Sequence, residues 1–107
     1  MVQEILEENN ITYKKEVYIF NQIYRIDFIC YDKIVIEVQG DYWHANPLLF
    51  DYSKINNVQK KNVTRDIAKK KVIEDLGLKY FEIWEYDLKN NYNQIKNKLI
   101  EYVQNNI

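Results

Sequence analysis

Asp27 stands in the middle of an otherwise apolar run, Ile23-Tyr24-Arg25-Ile26-Asp27-Phe28-Ile29-Cys30. A carboxylate in such a setting is costly unless it is paired or binds a cation. Arg25, two residues away on the same face of a strand, is the structural partner on offer. Glu37 raises the same problem in the next run, Ile34 to Gln39. Two carboxylates on adjacent strands joined by a tight turn can converge on one hard cation such as magnesium, which takes oxygen ligands. Glu37, Gln39, Asp41 and His44 then bring two carboxylates, an amide and an imidazole to the end of one strand. His44 is the only histidine, and imidazole is the side chain best suited to exchange a proton near neutral pH. A lone histidine is otherwise a surface or packed ring. Trp43 beside it suits either a core or a stack on a nucleobase.

These groups need elements to hold them. The run Ile34–Gln39 reads as a strand with Ile34, Ile36 and Val38 on one face and Val35, Glu37 and Gln39 on the other. Gly40 frees the backbone for a sharp turn or close approach, and Asn46-Pro47 stops the run. Upstream, residues 2–9 suggest a short helix with Val2, Ile5 and Leu6 inward and Glu4, Glu7 and Glu8 outside. Residues 11–20 alternate as a first strand and 23–30 form a second. Tyr31-Asp32-Lys33 turns tightly into the third, which makes antiparallel neighbours. Residues 45–63 are polar and irregular, with room for one short helix. Thr64 is the expected N-cap of a helix over 65–76, with Ala68, Val72 and Leu76 as its inner stripe, Ile67 and Ile73 flanking, and Gly77 as its stop. Residues 79–84 are a fourth strand, parallel to its neighbour because a helical crossover reaches it. Residues 91–105 close the chain as a helix with Ile95, Leu99 and Val103 inward. The expected fold is α/β: one domain over 1–107, a mixed four-stranded sheet flanked by helices on both sides.

Composition narrows the function. At 47% hydrophobic and 15% aromatic the chain can build its own core and is not a disordered tail. One cysteine and one histidine exclude an internal disulfide and a structural zinc cluster, and fit a reducing cytoplasm. No apolar run approaches the roughly 20 residues that span a bilayer, and no signal peptide opens the chain. The net charge of −1 argues against nucleic acid, but its distribution does not. Between residues 54 and 71, Lys54, Lys60, Lys61, Arg65, Lys69, Lys70 and Lys71 oppose only Asp66. Local charge decides where a phosphate backbone settles; the plain alternative is a solvated helix face. Asp66 itself has an ordinary explanation in the first turn of its helix, with Lys69 and Lys70 in reach.

Asp27 followed by Glu37-Val38-Gln39 resembles the PD-(D/E)xK nuclease pattern, with Gln39 where lysine is usual. The run from Val35 to His44, then Arg65-Asp66, then Leu76-Gly77 through Ile83-Trp84-Glu85, is similar to the very-short-patch-repair endonucleases. It resembles still more the EDxHD branch that supplies catalytic domains to some phage homing endonucleases. The resemblance implies a restriction-endonuclease-like fold and a role for each residue. Asp27 would be the principal metal ligand, with Glu37 at the acidic position of the wider pattern and the Val38 carbonyl beside them. Gln39 would stand near the metal and the scissile phosphate, and His44 would transfer a proton near the attacking water. Glu4 and Asp66 would be the outer acids. Trp43 falls where the repair enzymes wedge an aromatic into the duplex. Asp41 replaces a cysteine of their zinc site, so no structural zinc is expected.

The expected activity is therefore metal-dependent endonucleolytic hydrolysis of DNA, by nicking or double-strand cleavage, in a homing, repair or phage setting. The cofactor would be Mg2+, with Mn2+ as substitute. Trp43, Lys60, Lys61, Arg65, Lys69 and Lys70 would face the DNA, and a bacterial or phage-infected cytoplasm is the expected location. A homodimer or a separate DNA-binding partner would supply specificity, and no membrane is involved. The alternative is a nuclease scaffold kept for DNA or partner binding with cleavage lost. A third reading is a structural protein with a fortuitously polar strand end.

Overall fold

The structure is a computed structural model and describes residues 1–107. The three β-forming runs of the first half become β1 (Tyr13–Ile19), β2 (Tyr24–Cys30) and β3 (Ile34–Gln39), and β4 (Lys79–Trp84) joins them after a long crossover. The sheet order is β1-β2-β3-β4, antiparallel up to β3 and parallel between β3 and β4, as expected from a helical crossover. Both hairpin turns lack glycine. Asn21 and Gln22 in the first and Asp32 in the second take left-handed backbone angles instead, a conformation that short Asn and Asp side chains tolerate comparatively well.

Four helices cover the sheet: α1 (Val2–Glu8), α2 (Asn57–Asp75), α3 (Glu85–Asn90) and α4 (Tyr92–Asn106). Helices α1, α3 and α4 lie on one face, where Ile5, Leu6, Leu88, Ile95, Leu99 and Val103 pack on Ile34, Ile36 and Ile83. The stripe Ile95-Leu99-Val103 recurs every four residues, which keeps it on one side of α4. The opposite face carries α2 alone. Its apolar core is small, formed by Ile73 against Ile26, Ile29 and Val35. The rest of that interface is polar, and the site lies there. No helix is long and apolar enough to cross a membrane.

The two-residue alternation of β1 and β2 breaks at Glu16 and Asp27. Tyr13 and Phe28 pack toward α1 and α4, whereas Val17, Ile19 and Ile26 pack toward α2. Glu16 takes a positive φ of 54°, and no backbone pair joins it to Asp27 although the register continues on either side. A local kink of this kind re-aims side chains. It leaves Asp27 at the point where the sheet turns over.

Three expectations are corrected. Helix α2 begins at Asn57, not after Thr64: Asn56 accepts from the Gln59 N–H while the Gln59 side chain accepts from the Asn56 N–H. That reciprocal pair is a capping box, which satisfies the Asn56 and Gln59 amides of the first turn. Thr64 lies inside the helix with its hydroxyl on the Lys60 carbonyl, 3.0 Å away. Second, Ala68, Ile67 and Leu76 are exposed and Val72 half-buried, so of the five apolar residues only Ile73 is fully inward. Third, α3 has no counterpart in the expected elements. Gly77 does end α2: its φ is 78°, and Leu78 N–H reaches back to the Ile73 carbonyl at 3.2 Å.

The buried and exposed apolar positions of the last turn of α2 should therefore respond differently to truncation. Ile73→Ala should destabilise by about 2–5 kcal/mol, the cost of an emptied aliphatic core position. Leu76→Ala, at 53% exposure, should cost less than about 1 kcal/mol. Urea denaturation of both variants tests this; equal losses would mean that the assigned inner face of α2 is wrong.

Candidate active site

The inner face of α2 is a polar stripe at Gln59, Asn62, Asp66 and Lys69, ending on Ile73. Steps of three and four residues keep these positions on one side of a helix. Each finds a partner on β3 or the loop that leaves it. Gln59 Nε2 donates to the Tyr42 carbonyl at 2.8 Å, and Asn62 Nδ2 donates to the Trp43 carbonyl at 2.8 Å. Asp66 Oδ2 lies 2.6 Å from His44 Nδ1, and the Lys69 ammonium pairs with Glu37 Oε1. Helix and loop are thus zipped together, one residue at a time, along the site.

The loop is also closed on itself. His44 N–H bonds the Gly40 carbonyl at 3.1 Å and Asn46 N–H bonds the Asp41 carbonyl at 2.9 Å. Asp41 Oδ1 accepts from Asn46 Nδ2 at 3.0 Å and from the Tyr86 N–H at 3.1 Å. The second bond satisfies a free amide at the start of α3, whose own sequence supplies no side-chain cap. Gly40 is not the expected conformational device: a Cβ there would meet only Trp43 Cδ1 at 4.0 Å, and its φ is not left-handed. Ala45, with φ 51°, makes the unusual turn.

Asp27 and Glu37 interlock across β2 and β3. Regular pairing between these strands reaches only as far as Phe28 and Ile36. Beyond it, Asp27 Oδ2 accepts from the Val38 N–H at 2.8 Å, and Glu37 Oε2 accepts from the Asp27 N–H at 3.2 Å. Each carboxylate therefore spends one oxygen on the neighbouring strand. Asp27 Oδ1 lies 3.9 Å from the half-exposed Arg25, which approaches Glu16 at 3.7 Å, so the expected Arg25 partner compensates Asp27 only weakly. Glu37 is 3% exposed, and its Oε1 is the one buried side-chain polar atom without an aligned hydrogen bond. The Lys69 ammonium nonetheless sits in direct contact with that oxygen, as its counter-charge and its hydrogen-bond donor. Burial pushes the Glu37 carboxyl up to about 7, against the opposing pull of Lys69.

The Asp66 hydrogen bond raises the His44 imidazole above its ordinary value, and partial burial opposes it. A carboxylate can only accept, so Nδ1 carries the hydrogen and neutral His44 keeps Nε2 as a free acceptor. His44 and Asp66 open into a cleft of about 260 Å³ with Pro47, Tyr52, Tyr80 and Trp84. Asp27 and Val38 line a separate opening with Gln3, Lys15 and Glu16. The Glu37–Lys69 pair links the two, touching Asp27 through the backbone and acting on His44 through its charges.

The other expected residues are more scattered. Gln39 is buried beside the Tyr80 hydroxyl. Glu4 is exposed on α1, and its neighbour Gln3 lines the Asp27 opening instead. Lys60 and Lys61 are exposed beside Arg65 and Tyr24. Arg65 is partly committed, donating to the Ile23 carbonyl at 3.1 Å and lying 5.1 Å over the Tyr24 ring. Lys70 sits 5.3 Å over Tyr80. Lys69, grouped by sequence with the outward phosphate contacts, turns inward. Trp43 is 59% exposed and meets Tyr42 edge to face at 5.2 Å. Gln59 and Asn62 were not anticipated; their only signal was polar residues repeating at helical spacing with Asp66 and Lys69.

No three Asp, Glu, His or Cys side chains converge as a ready cation cage. The donors present nonetheless suit a hard divalent ion, because Asp27 Oδ1 is a carboxylate oxygen without a hydrogen-bond donor and Glu37 Oε1 is held only by the Lys69 ammonium. Magnesium is commonly held by one or two carboxylates, with water and substrate oxygens completing its shell.

Two outcomes test these electrostatics. In chelator-treated protein, Glu37 with a value near 7 holds a proton that the unfolded chain releases near 4.5. The native state then binds more protons across that window, so stability should fall by roughly 3 kcal/mol as pH rises through it. Raised His44 acts in the same direction at higher pH. Urea melts from pH 4.5 to 7.5 should show this fall, and Glu37→Gln should remove most of it; a wild-type rise in stability over that range would refute the assignment. Separately, the single histidine gives one proton NMR titration curve. Its midpoint should lie above the ordinary imidazole value and drop in Asp66→Asn, and an unmoved midpoint would mean that the His44–Asp66 bond does not form.

No protein-family model and no curated protein matches the sequence. Among solved structures, the chain is similar to the homing endonuclease I-Bth0305I catalytic domain: the superposition covers 94% of this chain and 87% of that one, with a TM-score of 0.67 and 24% identity. The mixed four-stranded sheet with flanking helices is thus the fold of a homing endonuclease catalytic domain.

Proposed function

We propose that the chain is a metal-dependent DNA endonuclease that hydrolyses phosphodiester bonds. The observation that carries this reading is the pairing of His44 with Asp66 at 2.6 Å, within reach of the charges of Glu37 and Lys69, together with the interlock of Glu37 with Asp27. Structural proteins seldom combine an oriented imidazole with carboxylates that could hold a cation, whereas phosphodiester hydrolysis can use both. The similarity in fold to a homing endonuclease catalytic domain supports the same reading.

Asp27 and Glu37, with the Val38 carbonyl nearby, would hold a magnesium or manganese ion. When bound, such an ion polarises the phosphate and lowers the cost of charge on its oxygens. The chain's residues do the rest. Asp66 fixes the His44 tautomer and directs Nε2 outward, where it takes a proton from water or gives one to the leaving oxygen. Gln39, buried beside Tyr80, supports the floor of the site. Lys60 and Lys61 hold the phosphate backbone without reading sequence. The exposed Trp43 packs against the duplex. Specificity comes from a second copy or a separate DNA-binding segment.

Supercoiled-plasmid cleavage with magnesium or manganese is the test. Asp27→Ala should abolish cleavage. His44→Ala should lower the rate by about 100-fold or more, the usual worth of a positioned proton-transfer group. Asp66→Asn should lower it by about 10- to 100-fold through misorientation. Full activity in folded Asp27→Ala and His44→Ala would overturn the assignment. DNA bound but never cut by wild type would favour the binding scaffold.

A further inference from the structure

We infer that Lys69 is an internal cation seated on the metal-facing oxygen of Glu37, which a divalent ion must displace. This rests on the nuclease reading above, because it assigns Glu37 as a metal ligand. Glu37 Oε2 is tied to the Asp27 N–H, so Oε1 is the oxygen left for a ligand. That atom is buried, and its partner is the Lys69 ammonium in direct contact with it. Two cations sharing one buried oxygen repel each other strongly, so occupancy is exclusive.

Position favours the same exchange. The Lys69 side chain is 19% exposed, much less than its neighbours Lys70 at 54% and Lys71 at 78%. Its long stem comes from α2, across the interface from the strand that bears Glu37, and such a stem can swing while the helix stays in place. Gln39, two residues beyond Glu37 on the same face of β3, brings no charge of its own. With no metal, Lys69 neutralises Glu37 and holds α2 against β3. With metal, the ammonium is freed beside the bound phosphate backbone. The apparent metal affinity of the wild type is then lowered by the fraction of molecules in which Lys69 holds Oε1.

Manganese binding by calorimetry separates the possibilities. Lys69→Met, which keeps length and removes charge, should bind Mn2+ about tenfold tighter than wild type. Asp27→Ala and Glu37→Gln should each bind more weakly. Equal or weaker binding by Lys69→Met, with Asp27 still required, would overturn the displacement and leave the nuclease reading standing. No binding by wild type or Lys69→Met would overturn both. If Lys69→Met does not fold, the 15N signal of the Lys69 ammonium in wild type decides. It should be exchange-protected in the metal-free protein and lose that protection on adding Mg2+, whereas unchanged protection at saturating metal would refute the inference.

Discussion

The stripe of polar side chains along α2 is the constraint from which the site follows. A helix laid on a sheet normally earns its place by apolar burial, and α2 does so only at Ile73. Over the preceding turns it is held by Gln59, Asn62, Asp66 and Lys69, each engaged with β3 or its following loop. Hydrogen bonds and charges demand particular partners at particular distances, while apolar contacts tolerate sliding. The interface therefore has one register, and that register brings the imidazole against Asp66 and the ammonium against Glu37.

Such an arrangement needs stability from elsewhere. The other face of the sheet supplies it, through the core of α1, α3 and α4 on Ile34, Ile36 and Ile83. The two faces of β3 divide the work: Ile34 and Ile36 anchor the strand from one side, and Glu37 and Gln39 serve the site on the other. The loop after β3 is steadied from both directions. Asp41 ties it to α3 and the α2 stripe ties it to the crossover helix. His44 lies between these anchors on a backbone that is itself hydrogen-bonded, which keeps the imidazole in place before any substrate arrives.

Asp27 depends on a different device. Its strand turns over at the kink shared with Glu16, and Asp27 and Glu37 replace backbone pairing with carboxylate-to-amide bonds. These bonds hold both acids side by side despite their mutual repulsion and leave one oxygen of each for other work. The outcome is a site in two openings, with Glu37 bonded to Asp27 on one side and paired with Lys69 of α2 on the other.

Much of the scaffold was legible in the chain itself. Runs of β-forming residues bounded by turns marked all four strands, with β4 over Lys79–Trp84 as expected, and the i, i+4 spacing of Ile95, Leu99 and Val103 marked α4. Asp27, Glu37 and His44 stood out because ionisable groups are costly within apolar runs or beside them, a local property that a sequence displays. The inward face of α2 did not stand out, because apolar periodicity is the signal of burial and this face buries amides and charges. Apolar periodicity accordingly points Ala68 and Leu76 inward and gives the first turns of the helix no signal of burial. Helix α3 was equally hidden, since its first amides are capped by Asp41 from a distant loop. That Lys69 faces Glu37 instead of solvent, and that Arg65 grips the β1–β2 turn, depends on which residues the crossover brings across the sheet. Such pairings join positions far apart in the chain, so only the tertiary structure decided them.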